Sequence, residues 1–150
     1  MLNILGSLII KGNGWHAFAP GAIIYVGENA TLTLDDRFSV SHDVKIYCRH
    51  KITIGKDNMW SYYNVIMDND AHYIYDYDGE HINKNREVIF GDNVWMGCRC
   101  TVLKGCVVPN GSIIGSCSIV RRKLLIENSI YAGLGPELIR QQVKWDRRLI

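Results

Sequence analysis

A histidine among carboxylates is where this chain first shows residue types able to move protons. His72 lies in the run IMDNDAHYIYD, residues 66–76, with Asp68 and Asp70 before it and Asp76 after it. Imidazole titrates near neutrality, so it can accept the proton of a hydroxyl, and an alcohol is a poor nucleophile until that proton leaves. A neighbouring carboxylate fixes the ring tautomer and stabilises the imidazolium that forms. Asp68 and Asp70 are the local candidates for that partner. From residue types alone, His72 can be read as a general base, a metal ligand or a surface histidine. Asn83 and Asn85, further along the same polar stretch, offer amide groups to an oxyanion or to an acceptor molecule.

The elements that must position these residues are written in a repeat. From Phe90 every sixth residue is large and apolar: Phe90, Met96, Val102, Val108, Ile114 and Val120. The fourth residue after each of the first five is small or β-branched: Val94, Cys100, Cys106, Ser112 and Ser118. Upstream the same period runs in broken frames, through Val26 and Leu32, then Leu34, Val40, Ile46 and Ile52, then Ile54, Trp60 and Ile66. Each two-residue slip is expected at a corner, as a bulge. A six-residue period describes a short strand, a corner and another short strand, with one large side chain inward per strand. Three strands per coil stack an apolar column along the axis. The period lapses over about residues 67–88, and His72 lies on that long loop, a kind of segment that is usually functional. The segment GPELIRQQVKWDRR predicts a helix over about 136–148, with Pro136 in its first turn and Leu138, Ile139 and Val143 as its apolar stripe.

Length and composition agree with one domain over 1–150: 47% hydrophobic and 21% charged residues are globular proportions. No apolar run is long enough to span a membrane, and the start MLNILGSLIIKG lacks the features of a signal peptide. With five cysteines and no such leader, a cytoplasmic protein with reduced thiols is expected. Cys100 and Cys106 occupy the small-residue position of the repeat and read as fillers, and Cys98-Arg-Cys100 lacks zinc-binding spacing, so no metal site is expected. Residues 28–92 carry twelve acids and seven bases, whereas residues 121–150 carry seven bases and three acids. A basic C-terminal part suits phosphates or a solvated face, and the absence of interleaved aromatics argues against nucleic acid. Trp95 falls on an outward position, where an indole calls for a ligand or another subunit to cover it.

From about Ile52 to Trp145 the chain resembles the hexapeptide-repeat acyltransferases, and within them the sugar O-acetyltransferases of capsule and lipopolysaccharide pathways. The resemblance rests on ITIGKDNMWSYYNVIMDNDAH, INKNREVIFGDNVWMGCRCTVLKG, GSIIGSCSIVRR and YAGLGPELIR, with Lys144-Trp145 near the end. Gly135-Pro136 stands where relatives tend to have Pro-Ala, and Phe90 and Met96 replace isoleucines of the repeat. The resemblance implies an all-β, left-handed parallel β-helix, assembled as a homotrimer with active sites between subunits. It implies acetyl-CoA as donor and a sugar or polysaccharide hydroxyl as acceptor, with amino sugars or other small acceptors as alternatives. It makes His72 the base, places Trp95, Gly97, Gly115 and Ser116 along the pantetheine arm, and sets Arg122 and Arg140 against the CoA phosphates. Two rivals share the coil: a zinc hydratase, whose histidine pattern residues 16, 42, 50, 72 and 81 do not reproduce, and a solenoid used only for binding.

Overall fold

Short apolar strands separated by tight corners wind into a solenoid in the computed structural model, which describes residues 1–148. The first coil holds β1 (Leu2–Ile4), β2 (Ser7–Ile10) and β3 (Ala17–Phe18), and the second β4 (Ile23–Val26), β5 (Thr31–Leu34) and β6 (Ser39–Val40). The third holds β7 (Lys45–Cys48), β8 (Lys51–Ile54) and β9 (Met59–Trp60). The fourth opens with β10 (Val65–Met67) and resumes after the long loop with β11 (Val88–Phe90) and β12 (Trp95–Met96). The fifth holds β13 (Thr101–Val102), β14 (Val107–Val108) and β15 (Ile113–Ile114); then follow β16 (Ile119–Val120), β17 (Ile130–Ala132) and β18 (Glu137–Arg140). Corresponding strands of successive coils pair in parallel and form three faces: A, led by β1; B, led by β2; and C, led by β3.

The inward positions follow the expected frame. Phe90, Met96, Val102, Val108, Ile114 and Val120 are all buried, as are the corner fillers Val94, Cys100, Cys106, Ser112 and Ser118. Each large side chain taken fully from water contributes roughly 1.5–3 kcal/mol, so the column holds the coils together. An aromatic series crosses it: Phe18 meets Phe38 edge to face at 5.9 Å, Phe38 meets Trp60 edge to face at 4.7 Å, and Trp60 lies tilted on Phe90 at 4.5 Å between ring centroids.

The two-residue slips lie inside strands, not at corners as expected. On face B, β5 buries both Leu32 and Leu34, and β8 both Ile52 and Ile54. Residues two apart on a strand share a side, so a strand two residues longer adds a second inward side chain without a bulge. The corners themselves repeat a left-handed residue three places after the inward one. Asp57, Asn93, Arg99 and Cys117 have φ of 59°, 56°, 57° and 61°, and Gly105 and Gly111 fill the same place at 78° and 64°.

The helix expected over 136–148 is absent. Gly133 and Gly135, at φ 109° and 106°, turn the chain back. Glu137–Arg140 then pairs antiparallel with β17, Tyr131 opposite Leu138 and Ala132 opposite Glu137. The last strand of face C would otherwise present an open edge, and β18 pairs with it, continuing a ladder that a helix could not extend. Beyond β18 the chain runs extended across the coils. Val143 N–H donates to the Asn128 carbonyl at 2.9 Å, and Trp145 Nε1 donates to the Asn93 carbonyl at 2.8 Å. The Arg147 guanidinium donates to the Arg37 carbonyl, Ser39 Oγ and the Asn58 carbonyl at 2.6–2.7 Å. Residues 143, 145 and 147 are half-buried while their neighbours are exposed, the alternation of a strand.

Candidate active site

The long loop leaves face A after β10 and is pinned at its root. The Asp68 carboxylate is buried and accepts the backbone N–H groups of Arg49 and His50, each at 2.8 Å, from the corner of the coil below. It also accepts from Asn69 Nδ2 at 2.9 Å and from the Cys48 thiol at 3.6 Å. The Asp68 carbonyl receives Arg86 N–H at 3.0 Å, so the end of the loop meets its beginning. Asp68 therefore holds a corner and makes no hydrogen bond to His72. Asn69 accepts Ala71 N–H at 3.0 Å, and Ala71 takes a left-handed φ of 66° immediately before His72. A non-glycine residue in that conformation is strained and persists only where its surroundings fix it.

Past His72 the loop folds into an irregular hairpin. Ile82 N–H donates to the Ile74 carbonyl at 3.0 Å, and Asp76 Oδ1 accepts Asp78 and Glu80 N–H at 3.0 and 2.8 Å at the tip. Tyr73, Tyr75 and Tyr77 all stand exposed along it. Asn83 holds the hairpin together from within. Its Oδ1 accepts Ile74 N–H at 2.8 Å and lies 2.9 Å from His81 Nε2; its Nδ2 donates to Asp70 Oδ2 at 3.0 Å and to the His72 carbonyl at 2.9 Å. A primary amide has two donors and two acceptor positions, and all four are used. Asn83, expected to bind the acceptor, is thus committed to the loop. Because Ile74 N–H needs an acceptor and the His72 carbonyl a donor, the orientation of the amide is fixed. His81 accordingly carries a proton on Nε2.

Asp70 is also committed. Its Oδ2 pairs with the Lys104 ammonium, and that contact, ahead of the Asn83 bond and the field of Arg86, holds the Asp70 carboxyl below its ordinary range. Neither local carboxylate hydrogen-bonds the His72 ring, contrary to the expectation of an oriented dyad within one chain. The ring is exposed, beside a cleft of about 270 Å³ lined also by Arg49, Tyr73, His81, Lys84 and Asn85. Asn85 makes no hydrogen bond of its own among the described residues, so its amide remains available to a bound molecule. An imidazole so placed can take a proton from a hydroxyl entering the cleft.

The residues expected around the acetyl donor lie elsewhere. Trp95 projects outward from β12 on face C, 36% exposed, with Trp145 beside it at 6.0 Å between rings. Gly97, Gly115 and Ser116 stack at the corner leading from face C to face A. A Cβ on Gly97 would stand 2.7 Å from the Ser116 nitrogen, so glycine is needed for the coils to meet. Ser116 Oγ accepts Cys98 N–H at 3.2 Å. Arg122 and Arg140 are exposed, the latter ending β18. None of these lines the His72 cleft, which opens at the corner between faces A and B. Sequence reasoning passed over Lys104, Arg49 and His81. Lys104 was within reach: Ile66 pairs with Val102, so the residue two beyond Val102 must lie over the root of the loop.

No family model matches the chain. A polysialic acid O-acetyltransferase of Neisseria meningitidis is 30% identical over 110 residues, which cover 68% of this chain and 51% of that protein. The crystal structure of the polysialic acid O-acetyltransferase OatWY matches with a TM-score of 0.67 at 22% identity, covering 99% of this chain and 92% of that one. A point mutant of the Bacillus cereus N-acyltransferase AntD, in complex with dTDP-4-amino-4,6-dideoxyglucose and coenzyme A, matches with a TM-score of 0.66 at 12% identity, covering 91% and 84%. The structural likenesses are likenesses of fold, and that fold is the left-handed β-helix. The chain spans from about half to just under two thirds of the length of the curated relatives it matches. The six-residue repeat, the solenoid and these relatives place the chain in the hexapeptide-repeat acyltransferase superfamily.

Proposed function

We propose that the protein transfers an acetyl group from acetyl-CoA to a hydroxyl of a sugar or polysaccharide, with His72 as general base. The observation that carries the reading is an exposed imidazole in a polar cleft, on a loop whose backbone is hydrogen-bonded into one conformation. His72 takes the proton of the acceptor hydroxyl as its oxygen attacks the thioester carbon. The carbon–sulfur bond then breaks, and the imidazolium returns the proton to the departing CoA sulfur. Asn85 is the amide left to hold the acceptor, while Asn83 acts on the loop.

The acetyl donor fits face C. The half-exposed indole of Trp95 offers an apolar wall to the pantetheine arm, and the corner of Gly97, Gly115 and Ser116 lets a chain lie close to backbone. Arg122 and Arg140 supply charge for the phosphates. Since Trp95 and His72 stand on different sides of the solenoid, one site needs two chains: the loop of one against face C of the next. A closed trimer satisfies this with identical contacts, and light scattering should give about three chain masses.

The decisive experiment replaces His72 by Ala and follows acetyl transfer to polysialic acid and to a β-galactoside. The rate should fall by roughly 10²–10⁴ with acetyl-CoA affinity unchanged. Turnover near that of the wild type would reject His72 as the base.

A further inference from the structure

Lys104 leaves the corner after β13 and reaches back under the His72 loop, with only 14% of its side chain exposed. Its ammonium pairs with Asp70 Oδ2 and donates to the Asn83 carbonyl at 3.0 Å. Those two residues flank the catalytic segment, one on its outgoing strand and one on its return. Asn83 passes the restraint on directly, since its Nδ2 holds both Asp70 Oδ2 and the His72 carbonyl. Withdrawing an ammonium from water is costly, and an apolar side chain would fill the same space without that cost. What an apolar side chain cannot do is grip a carboxylate and a carbonyl together.

The loop needs such a grip. It departs from the solenoid after β10 and returns at β11, so most of it lacks the ladder bonds that fix the strands. A base must be held within about 0.5 Å of its productive position, and a displacement of about 1 Å can cost on the order of 10²-fold in rate.

We propose that Lys104 is a positioning residue for acetyl transfer: through Asp70 and Asn83 it fixes the backbone on both sides of His72, with Asp70 serving as its anchor and not as the partner of the imidazole. The inference rests on the reading of His72 as the base. It assigns Asp70 a task that its place two residues before the histidine disguises.

The test uses the full chain and the variants Lys104→Met, Asp70→Asn and their combination. Two quantities are measured: steady-state acetyl transfer from acetyl-CoA to polysialic acid or a β-galactoside, and hydrogen exchange of the backbone amides of residues 70–85. Each single change should lower kcat on the order of 10- to 10²-fold, leave KM for acetyl-CoA within about twofold, and speed exchange of the loop amides while strand amides keep wild-type protection. The double change should cost clearly less than the two single losses combined, because both break the same Lys104–Asp70 pair. A large loss in Asp70→Asn with wild-type rates in Lys104→Met would overturn the proposal and return Asp70 to the imidazole. So would unchanged loop exchange in Lys104→Met. If the wild type acetylated neither probe, the acetyl-transfer reading would fail by itself, and the exchange measurements would still decide whether Lys104 holds the loop.

Discussion

Replacing Asp68 by Asn separates a structural carboxylate from a catalytic one. In the native corner the carboxylate, itself fully buried, accepts two backbone N–H groups at 2.8 Å and one amide at 2.9 Å. Asparagine has the same shape but brings a donor to one side, so either Arg49 or His50 N–H loses its acceptor. The remaining bond weakens from charge-assisted to neutral. An unsatisfied buried donor costs about 1–3 kcal/mol and the weakened bond about 1 kcal/mol more, a total of roughly 2–4 kcal/mol. For a chain of this size about 3 °C of Tm corresponds to 1 kcal/mol, so the melting midpoint should fall by roughly 6–12 °C. Far-UV circular dichroism at fixed protein concentration reads this directly. At temperatures where the variant is folded, kcat should change much less than in Lys104→Met. A variant that melted with the wild type yet transferred acetyl groups orders of magnitude more slowly would refute this account and make Asp68 the partner of His72.

Three further outcomes are expected. Burial pushes the thiols of Cys48, Cys100 and Cys106 up to about 12, 11 and 11, so in native protein only Cys98 and Cys117 should react with a disulfide reagent at neutral pH; rapid reaction of all five would mean the corners are not packed. Lys104 lowers the Asp70 carboxyl below its ordinary value of 3.8, so the tether is fully present above that pH and is lost only as pH falls through the lower native value. Protection factors of the loop amides should therefore hold from neutrality down to about pH 4, and loosening at pH 5–6 would contradict the ion pair. Arg147→Ala removes three hydrogen bonds and the cation seated 5.1 Å above Trp15, and should destabilise by about 1–3 kcal/mol with a red-shifted tryptophan emission; an unchanged melt and spectrum would show that the C-terminal segment does not bear on the coils.

How far the sequence reached depended on whether one period governed a region. From Phe90 to Val120 a single frame runs unbroken, and every inward residue it names is buried. Upstream the frame shifts by two, and periodicity counts the added residues without telling whether they lengthen a strand or lie at a corner. The C-terminal segment misled because Leu138, Ile139 and Val143 match a helical stripe, while the alternation of Val143, Trp145 and Arg147 carried the true signal. Helical spacing prevailed because the open edge of β17, which draws in β18, is a tertiary fact. His72 was legible because the loop interrupts the repeat. Asp68 and Asp70 were not separable: they are two residues apart with identical chemistry, and what divides them is a coil below for one and a coil above for the other. Those neighbours lie about a full coil or more away in sequence, at Arg49, His50 and Lys104.

The C-terminal segment alters how such a molecule comes apart. In a stack of coils each layer touches only the layers beside it, so the ends can fray while the middle stays intact, and melting spreads out like a zipper. Here residue 147 is bound to residues 37, 39 and 58, joining the late chain to early coils. The second coil cannot peel away without also releasing the strap that is bonded to Asn128, just before β17. Loss at either end is thereby coupled to the other, and the linear array acquires the all-or-none character of a closed ring. During synthesis the coils can stack in order as they are made, but this coupling arises only once residue 147 has been laid down.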